Sequence, residues 1–151
     1  MSEKLVADAV ADNIGDDGVL MQRSTEDLVE IRLPADPAYL SVLRTATAGL
    51  AARLDFTLDE IEDLRIAVDE ACAMLLPLAN DGARLTCRFE LLPATLQVTV
   101  SIPTTQTELP ERDTFSWTVL SALAGQVDTG LDEERRVWIR LRKRRAAAGA
   151  R

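Results

Sequence analysis

Residues 57 to 76 constrain the fold of this chain more than any other stretch. The Thr57 hydroxyl can accept a hydrogen bond from the Glu60 amide, and the Glu60 carboxylate can reach back, which is the pattern of a capping box. Apolar residues then recur at helical spacing as far as Pro77, which ends or kinks a helix. The stripe comprises Leu58, Ile61, Leu64, Val68, Ala71, Leu75 and Leu78. The pattern predicts a helix over residues 58–76 with one face in a core.

The other segments show the periodicity of either a strand or a helix, and together they give the element order β-α-α-β-β-α-β. They comprise a strand in DLVEIRLP, a helix over 37–54 that starts at Asp36-Pro37, strands over Leu85–Leu91 and Leu96–Ile102, a helix in TFSWTVLSALAG, an optional short strand at QVDT and a closing strand in RRVWIRLRKR. Helices that cover one face of a mostly antiparallel sheet make a two-layer α/β (α+β) sandwich. This architecture is the predicted fold class.

A chain of 151 residues favours one domain with its own core. We expect a disordered acidic segment over residues 1–25, a folded domain over 26–143 and a flexible basic and alanine-rich tail over 144–151. No apolar run is long enough to span a bilayer, and the N-terminus lacks the pattern of a signal peptide. These features predict a cytoplasmic protein whose Cys72 and Cys87 are reduced and buried.

Composition excludes several classes of function. The chain contains no histidine, which rules out His-based metal sites and Ser-His-Asp or Cys-His catalysis. The net charge is −8, yet residues 135–151 hold eight basic residues and no acidic one. The remaining body is strongly acidic, which disfavours direct binding of nucleic acid and suits a basic protein partner.

Glu70 is the candidate chemical group of the second helix. It lies opposite the apolar stripe, and its neighbours four residues away on either side are Ile66 and Met74. A carboxylate in an apolar setting is a possible general base. The alternative is a carboxylate at a protein interface or paired with an arginine, and the residues alone leave both open.

Residues 28 to 142 resemble the anti-sigma factors of the RsbW and SpoIIAB type, which belong to the ATPase family that includes histidine kinases, gyrase and Hsp90. The resemblance is strongest over YLSVLRTATAGLAARLDFTLDEIEDLRIAVDEACAML. It implies the histidine-kinase-like ATPase fold. In that family a helix carries E-x-x-x-N, whose glutamate is the base that phosphorylates a serine of an anti-anti-sigma protein and whose asparagine binds the magnesium of ATP.

This sequence departs from the family at three places that serve the nucleotide. Glu70 occupies the glutamate position, but Met74 replaces the asparagine, and a thioether is a poor ligand for magnesium. The loop after Ile102 reads PTTQTELPERD and lacks the family's D-x-G-x-G motif. The start of the last helix has no glycine to bring backbone amides to a phosphate. The resemblance therefore implies a base position at Glu70 that is inactive and no required cofactor.

The favoured function is an anti-sigma factor that sequesters an alternative sigma factor without ATP and is released by an anti-anti-sigma protein. The family's partner surface implies Arg44 as a contact, with Tyr39 and Ser41 nearby. A homodimer is expected by the same resemblance. One alternative is an active serine kinase of this lineage that uses ATP-Mg and Glu70. A second is a sensor that binds an apolar ligand near Ile66 and Met74.

Overall fold

The computed structural model describes residues 27–106 and 108–147. In chain order, the elements are β1 (Asp27–Pro34), a 3-10 turn (Pro37–Tyr39), α1 (Leu40–Arg53), α2 (Leu58–Leu75), a second 3-10 turn (Leu76–Leu78), β2 (Arg84–Leu92), β3 (Thr95–Pro103), α3 (Phe115–Ala124), β4 (Gln126–Leu131) and β5 (Arg136–Arg144). The predicted segment 1–25 lies outside the described residues.

The five strands form one sheet in the order β1-β2-β3-β5-β4, and every neighbouring pair is antiparallel. Alternate residues of the strands point to opposite faces, so one parity supplies the core. In β2 and β3 the inward set is fully apolar. Its members are Leu85, Cys87, Phe89, Leu91, Leu96, Val98, Val100 and Ile102. The predicted two-layer sandwich is confirmed.

The helical layer lies on that apolar face, with α2 packed against both α1 and α3. The stripe of α2 supplies Leu64, Val68, Ala71 and Leu75 to the core, all fully buried. The predicted capping box is present: the Glu60 amide donates to Thr57 Oγ1 at 3.1 Å, and the Thr57 amide donates to Glu60 Oε1 at 2.8 Å. Phe56 is buried beside it, as expected for the staple.

Two helix boundaries differ slightly from the sequence prediction. The first helix was predicted from residue 37, but Pro37–Tyr39 forms a 3-10 turn, because Tyr39 adopts φ −101° and ψ 1° and interrupts the α-helical geometry. The α-helix therefore begins at Leu40. At the other end of α2, the helix stops at Leu75, and Pro77 lies in the following 3-10 turn. The optional strand at QVDT is present as β4.

The chain after β5 contacts the junction between α1 and α2. Arg145 Nη1 donates to the Leu54 carbonyl at 2.8 Å, and the Ala146 amide donates to Glu60 Oε2 at 2.8 Å. These bonds fix the first residues of the predicted basic tail, and residues 148–151 lie outside the described part. No helix in the described ranges is both long and apolar enough to span a bilayer.

Candidate partner-binding surface and altered nucleotide position

An ion pair joins the first two helices. Arg44 Nη1 on α1 lies 3.0 Å from both carboxylate oxygens of Asp69 on α2. Both side chains remain about one-third exposed, at 37% and 36%. A guanidinium has five N–H donors, and Asp69 engages one nitrogen only, so the other nitrogens of Arg44 have no hydrogen-bond partner among the described residues. Arg44 is therefore a positioned arginine rather than a freely solvated one.

Exposed side chains surround this ion pair. Ser41 lies three residues before Arg44 on α1, and Ile66 lies three residues before Asp69 on α2, so each shares a face with its neighbour. Ile66 is 44% exposed, and Tyr39, at the end of the 3-10 turn, is 45% exposed. We call Tyr39, Ser41, Arg44, Ile66 and Asp69 the ion-pair surface. Ser41 and Arg44 thus share a face of α1, whereas Tyr39 lies in the turn that precedes the helix, and their contact with a partner stays a prediction.

Glu70 projects from a different flank of α2. Consecutive helical residues point about 100° apart, and Ile66, about one turn before both Asp69 and Glu70, lies between them around the helix. Its side chain is half-buried and makes no hydrogen bond or ion pair within the described residues. Met74, one turn later, is partly buried and packs against the core. The predicted row of Ile66, Glu70 and Met74 is thus present along α2.

Clefts on the sheet side are lined by strand and loop residues and do not include this row. The sensor of an apolar ligand near Ile66 and Met74 stays a prediction. Within the described ranges, no group of three or more His, Cys, Asp or Glu residues is arranged to hold a metal ion.

The loop that follows β3 is hydrogen-bonded to neighbouring segments at the end of the sheet. The Thr105 amide donates to Asn80 Oδ1 at 3.2 Å, and the Thr104 amide donates to the Arg135 carbonyl at 3.1 Å. Further along, Arg112 Nη2 lies 2.8 Å from Asp128 Oδ1 on β4. The hydrogen bond from Arg112, with one from the Thr129 amide, holds the pKa of Asp128 below its usual value.

Side-chain contacts, rather than a group of exposed backbone amides, are found at the start of α3. The Thr114 hydroxyl accepts from the Trp117 amide at 3.2 Å and caps the helix. The Arg112 guanidinium lies 4.9 Å from the centroid of the Trp117 ring. The loop between Pro103 and Thr114 contains no glycine. That this segment does not bind a nucleotide stays a prediction.

Sequence reasoning did not assign a role to Asp69. Its place in the AVDEAC stretch was evident, but its partner Arg44 lies 25 residues earlier on another helix. No local spacing signals such a pair, because it depends on how α1 and α2 pack. The contacts of Arg112, which span α3 and β4, were missed for the same reason.

About half of the chain is similar in sequence to proteins named serine-protein kinase RsbW. The protein of Bacillus subtilis (strain 168) is 35% identical over 82 residues, which cover 52% of this chain and 51% of that protein. The protein of Bacillus velezensis is 38% identical over 78 residues, covering 50% and 49%. That of Bacillus pumilus is 43% identical over 58 residues, covering 38% and 36%. The chain is RsbW-like.

The fold agrees with this similarity. The RsbW-like chain superposes on a crystal structure of the RsbU and RsbW domains of a Mycobacterium tuberculosis protein with a TM-score of 0.58. The superposition covers 79% of this chain and 32% of that one at 14% sequence identity, so this likeness shows the fold alone. No protein-family model matches the chain. The RsbW-like chain spans about half the length of the curated relatives it matches.

Proposed function

We propose that this chain is an anti-sigma factor that binds an alternative sigma factor directly and takes part in partner switching with an anti-anti-sigma protein. The ion-pair surface carries this proposal. It presents Arg44, held by Asp69 on the helix that the RsbW resemblance assigns to partners, together with the exposed Tyr39 on the preceding turn and the exposed Ile66 on α2. Arginine and aromatic residues are enriched where binding energy is concentrated in interfaces.

The proposal includes no requirement for ATP. Met74 offers a thioether where a magnesium ligand should be an oxygen, and its side chain packs toward the core. The loop from Pro103 to Thr114 is fastened to the sheet and has no glycine. Each change removes a different part of a nucleotide site, so restoring one of them is not expected to restore the site. Met74→Asn alone should therefore leave ATP binding undetected.

The proposal also covers the oligomeric state and the cellular location of the protein. We propose a cytoplasmic protein whose folded domain pairs as a homodimer through the α1–α2 junction. Leu58, at the first position of α2, is 83% exposed there, which supports an apolar contact at this end. Size-exclusion chromatography with light scattering tests the dimer, and Leu58→Lys should convert it to monomer.

The first prediction tests the partner surface by co-purification with candidate alternative sigma factors. Arg44→Ala should weaken a sigma complex by about tenfold or more, because truncating one member of an interfacial charge pair leaves the other unpaired. ATP-Mg should not change the affinity. Arg53→Ala is the matched control: it removes an exposed arginine from the last turn of the same helix and should change the affinity by less than about twofold.

The two halves of this prediction fail separately. A complex that tolerates both Arg44→Ala and the charge reversal Arg44→Glu would place the interface elsewhere on the protein. A complex that forms only with ATP-Mg would retain the anti-sigma function but overturn its independence from nucleotide. Failure to bind any alternative sigma factor would overturn the proposed function itself.

A second candidate function is an active serine-protein kinase that phosphorylates its anti-anti-sigma antagonist. Two observations favour it. The relatives carry the name serine-protein kinase, and Glu70 remains on the helix at the position of the family's base. Its half-buried carboxylate makes no polar contact within the described residues, so it is free to accept a proton. The fastened loop and Met74 are the observations against this candidate.

The second prediction separates the two functions by radiolabelled phosphate transfer to candidate anti-anti-sigma proteins. We expect no transfer by the wild type and none by Glu70→Gln, with both proteins equally folded and equally able to bind sigma factor. Glutamine has nearly the same shape as glutamate but cannot accept the proton. Transfer by the wild type that disappears in Glu70→Gln would establish the kinase.

A further inference from the structure

Arg44 relies on α2 for its carboxylate partner. The sequence of α1, LSVLRTATAGLAAR, contains no acidic residue. The partner is Asp69, whose Oδ1 and Oδ2 both lie 3.0 Å from Arg44 Nη1. Side chains three or four residues apart share one face of a helix, and no other acidic residue of α2 stands at either spacing from Asp69. Loss of Asp69 would therefore leave no carboxylate on the same face of α2 within one turn to take its place.

Asp69 engages the guanidinium of Arg44 from one side. Both carboxylate oxygens accept from Nη1, whereas Nε and Nη2 have no hydrogen-bond partner among the described residues. Nε and Nη2 together form one of the edges along which a guanidinium offers two parallel N–H groups, and such an edge matches the two oxygens of a carboxylate. The contact with Asp69 therefore holds Arg44 and leaves one complete donor edge unengaged within the described residues.

The ion pair is too exposed to add much to the stability of the fold. Its two side chains are 37% and 36% exposed, and pairs of this kind contribute little because water screens their charges. Orientation has a separate effect on binding. A free arginine side chain has many rotamers and loses that freedom when a partner immobilises it, whereas a side chain that is already held loses less. The main physical effect of Asp69 is therefore on the orientation of Arg44.

We propose that Asp69 is a positioning residue for Arg44, which it fixes so that the Nε–Nη2 edge receives a carboxylate of the partner protein. This inference rests on the proposed function, in which Arg44 forms a charge pair across the interface. The charge of Asp69 opposes an incoming carboxylate, but the pair is partly exposed and water screens this repulsion. The gain from a held guanidinium outweighs the screened repulsion, so removal of Asp69 weakens the complex.

The first test is isothermal titration calorimetry of full-chain variants with the alternative sigma factor that co-purifies with the wild type. Asp69→Ala should weaken the complex by about tenfold, because the partner then has to order Arg44 itself. Asp69→Asn should weaken it by less than about threefold, since the amide Oδ1 still accepts from Nη1 although the charge is gone. Arg44→Lys should weaken it by about tenfold, because an ammonium keeps the charge but lacks the paired donors.

The second test needs no partner. The heteronuclear Overhauser effect of the Arg44 Nε–Hε group measures its fast motion by NMR, and the signal is assigned by its disappearance in Arg44→Lys. The group should be rigid in the wild type and in Asp69→Asn and mobile in Asp69→Ala. Glu62→Ala is the matched control in both tests, because it removes an exposed carboxylate that lies 3.1 Å from Arg65 on the same helix. It should leave the Arg44 signal unchanged and the affinity within about twofold.

Contrary outcomes separate the parts of this inference. Equal mobility of Arg44 in the wild type and Asp69→Ala, or tighter sigma binding by Asp69→Ala, would overturn the positioning role. Equal losses of affinity in Asp69→Asn and Asp69→Ala would assign the effect to charge instead of orientation. Unchanged affinity of Arg44→Lys would overturn the donor edge as the contact. If the wild type binds no alternative sigma factor, the proposed function fails, while the mobility of Arg44 still decides whether Asp69 positions it.

Discussion

At the residue scale, Gly130 and Trp138 show how an aromatic side chain lies on the uncovered face of the sheet. The two residues are paired across β4 and β5. A Cβ atom at position 130 would lie 2.5 Å from Cζ2 and 2.8 Å from Cε2 of the Trp138 indole. Glycine is therefore required here because the ring lies flat over the backbone, not because of an unusual φ angle. The seated ring in turn positions Arg140.

The third prediction follows from this close approach. Gly130→Ala should destabilise the protein by about 1 kcal/mol, because the indole must move off the strand and lose packing. The measurement is urea unfolding. Gly49→Ala is the matched control: nothing lies within 4 Å of its Cβ position, and alanine in a helix interior should stabilise by roughly 0.5–1 kcal/mol. Equal effects of the two substitutions would contradict the placement of Trp138.

At the element scale, Glu60 connects the beginning of α2 to the chain that leaves β5. One carboxylate oxygen accepts from the Thr57 amide and the other from the Ala146 amide. Partial burial by itself raises the pKa of Glu60, but these hydrogen bonds, with that of the Thr57 hydroxyl and the charge of Lys143, outweigh it and leave the pKa below its ordinary value of 4.5. The ionised form is thus the one that holds the two elements together.

The fourth prediction concerns this carboxylate and pH. Because the pKa of Glu60 is lower in the folded state, its stabilising effect is present above about pH 4.5 and is lost as the pH falls through the folded-state pKa. Glu60→Gln should therefore lower the free energy of unfolding at pH 7 by about 1 kcal/mol and by less at pH 3. A pH-independent difference between the two proteins would contradict the bridging role of the charge.

The elements also show which parts of the structure the sequence could predict. The capping box, the stripe of α2 and the alternation of β2 and β3 are local patterns, and all three are present as predicted. The 3-10 geometry at Tyr39 was missed because an N-cap aspartate followed by proline starts either kind of helix. Contacts between distant elements, such as Arg44 with Asp69 and Arg145 with Leu54, have no local signal. The contacts of Arg136 on β5 with Thr86 and Ser101 were not predicted, because they depend on the order of the strands in the sheet.

At the scale of the whole molecule, the two layers differ in how their charges are arranged. The helical layer carries an acidic run near the start of α2, in which Asp55, Asp59 and Glu62 are exposed. On the uncovered face of the sheet, arginines alternate with carboxylates across the strands, as in the pairs of Arg88 with Glu30 and Arg140 with Asp128. A net charge of −8 averages these two surfaces.

Between these layers, two cysteines report on the integrity of the core. Cys72 on α2 and Cys87 on β2 are fully buried free thiols, as the sequence predicted. Burial, together with the nearby charge of Asp69, raises the pKa of Cys72 to about 12, and burial raises the pKa of Cys87 well above its usual value. Since the thiolate is the reactive species, both thiols are almost entirely in the unreactive protonated form at pH 8 in the folded protein.

The fifth prediction is that neither thiol reacts with Ellman's reagent until the core opens. Native protein at pH 8 should label at least about a thousandfold more slowly than protein in urea, because opening requires much of the free energy of unfolding. If opening and closing are fast compared with labelling, the rate follows the population of the open state. Gly130→Ala, at about 1 kcal/mol less stable, should then label about fivefold faster, and Gly49→Ala should label more slowly than the wild type. Rapid labelling of one thiol in the native protein would show that α2 separates from the sheet without global unfolding. Mass spectrometry of the labelled cysteine would then locate that opening on α2 or on β2.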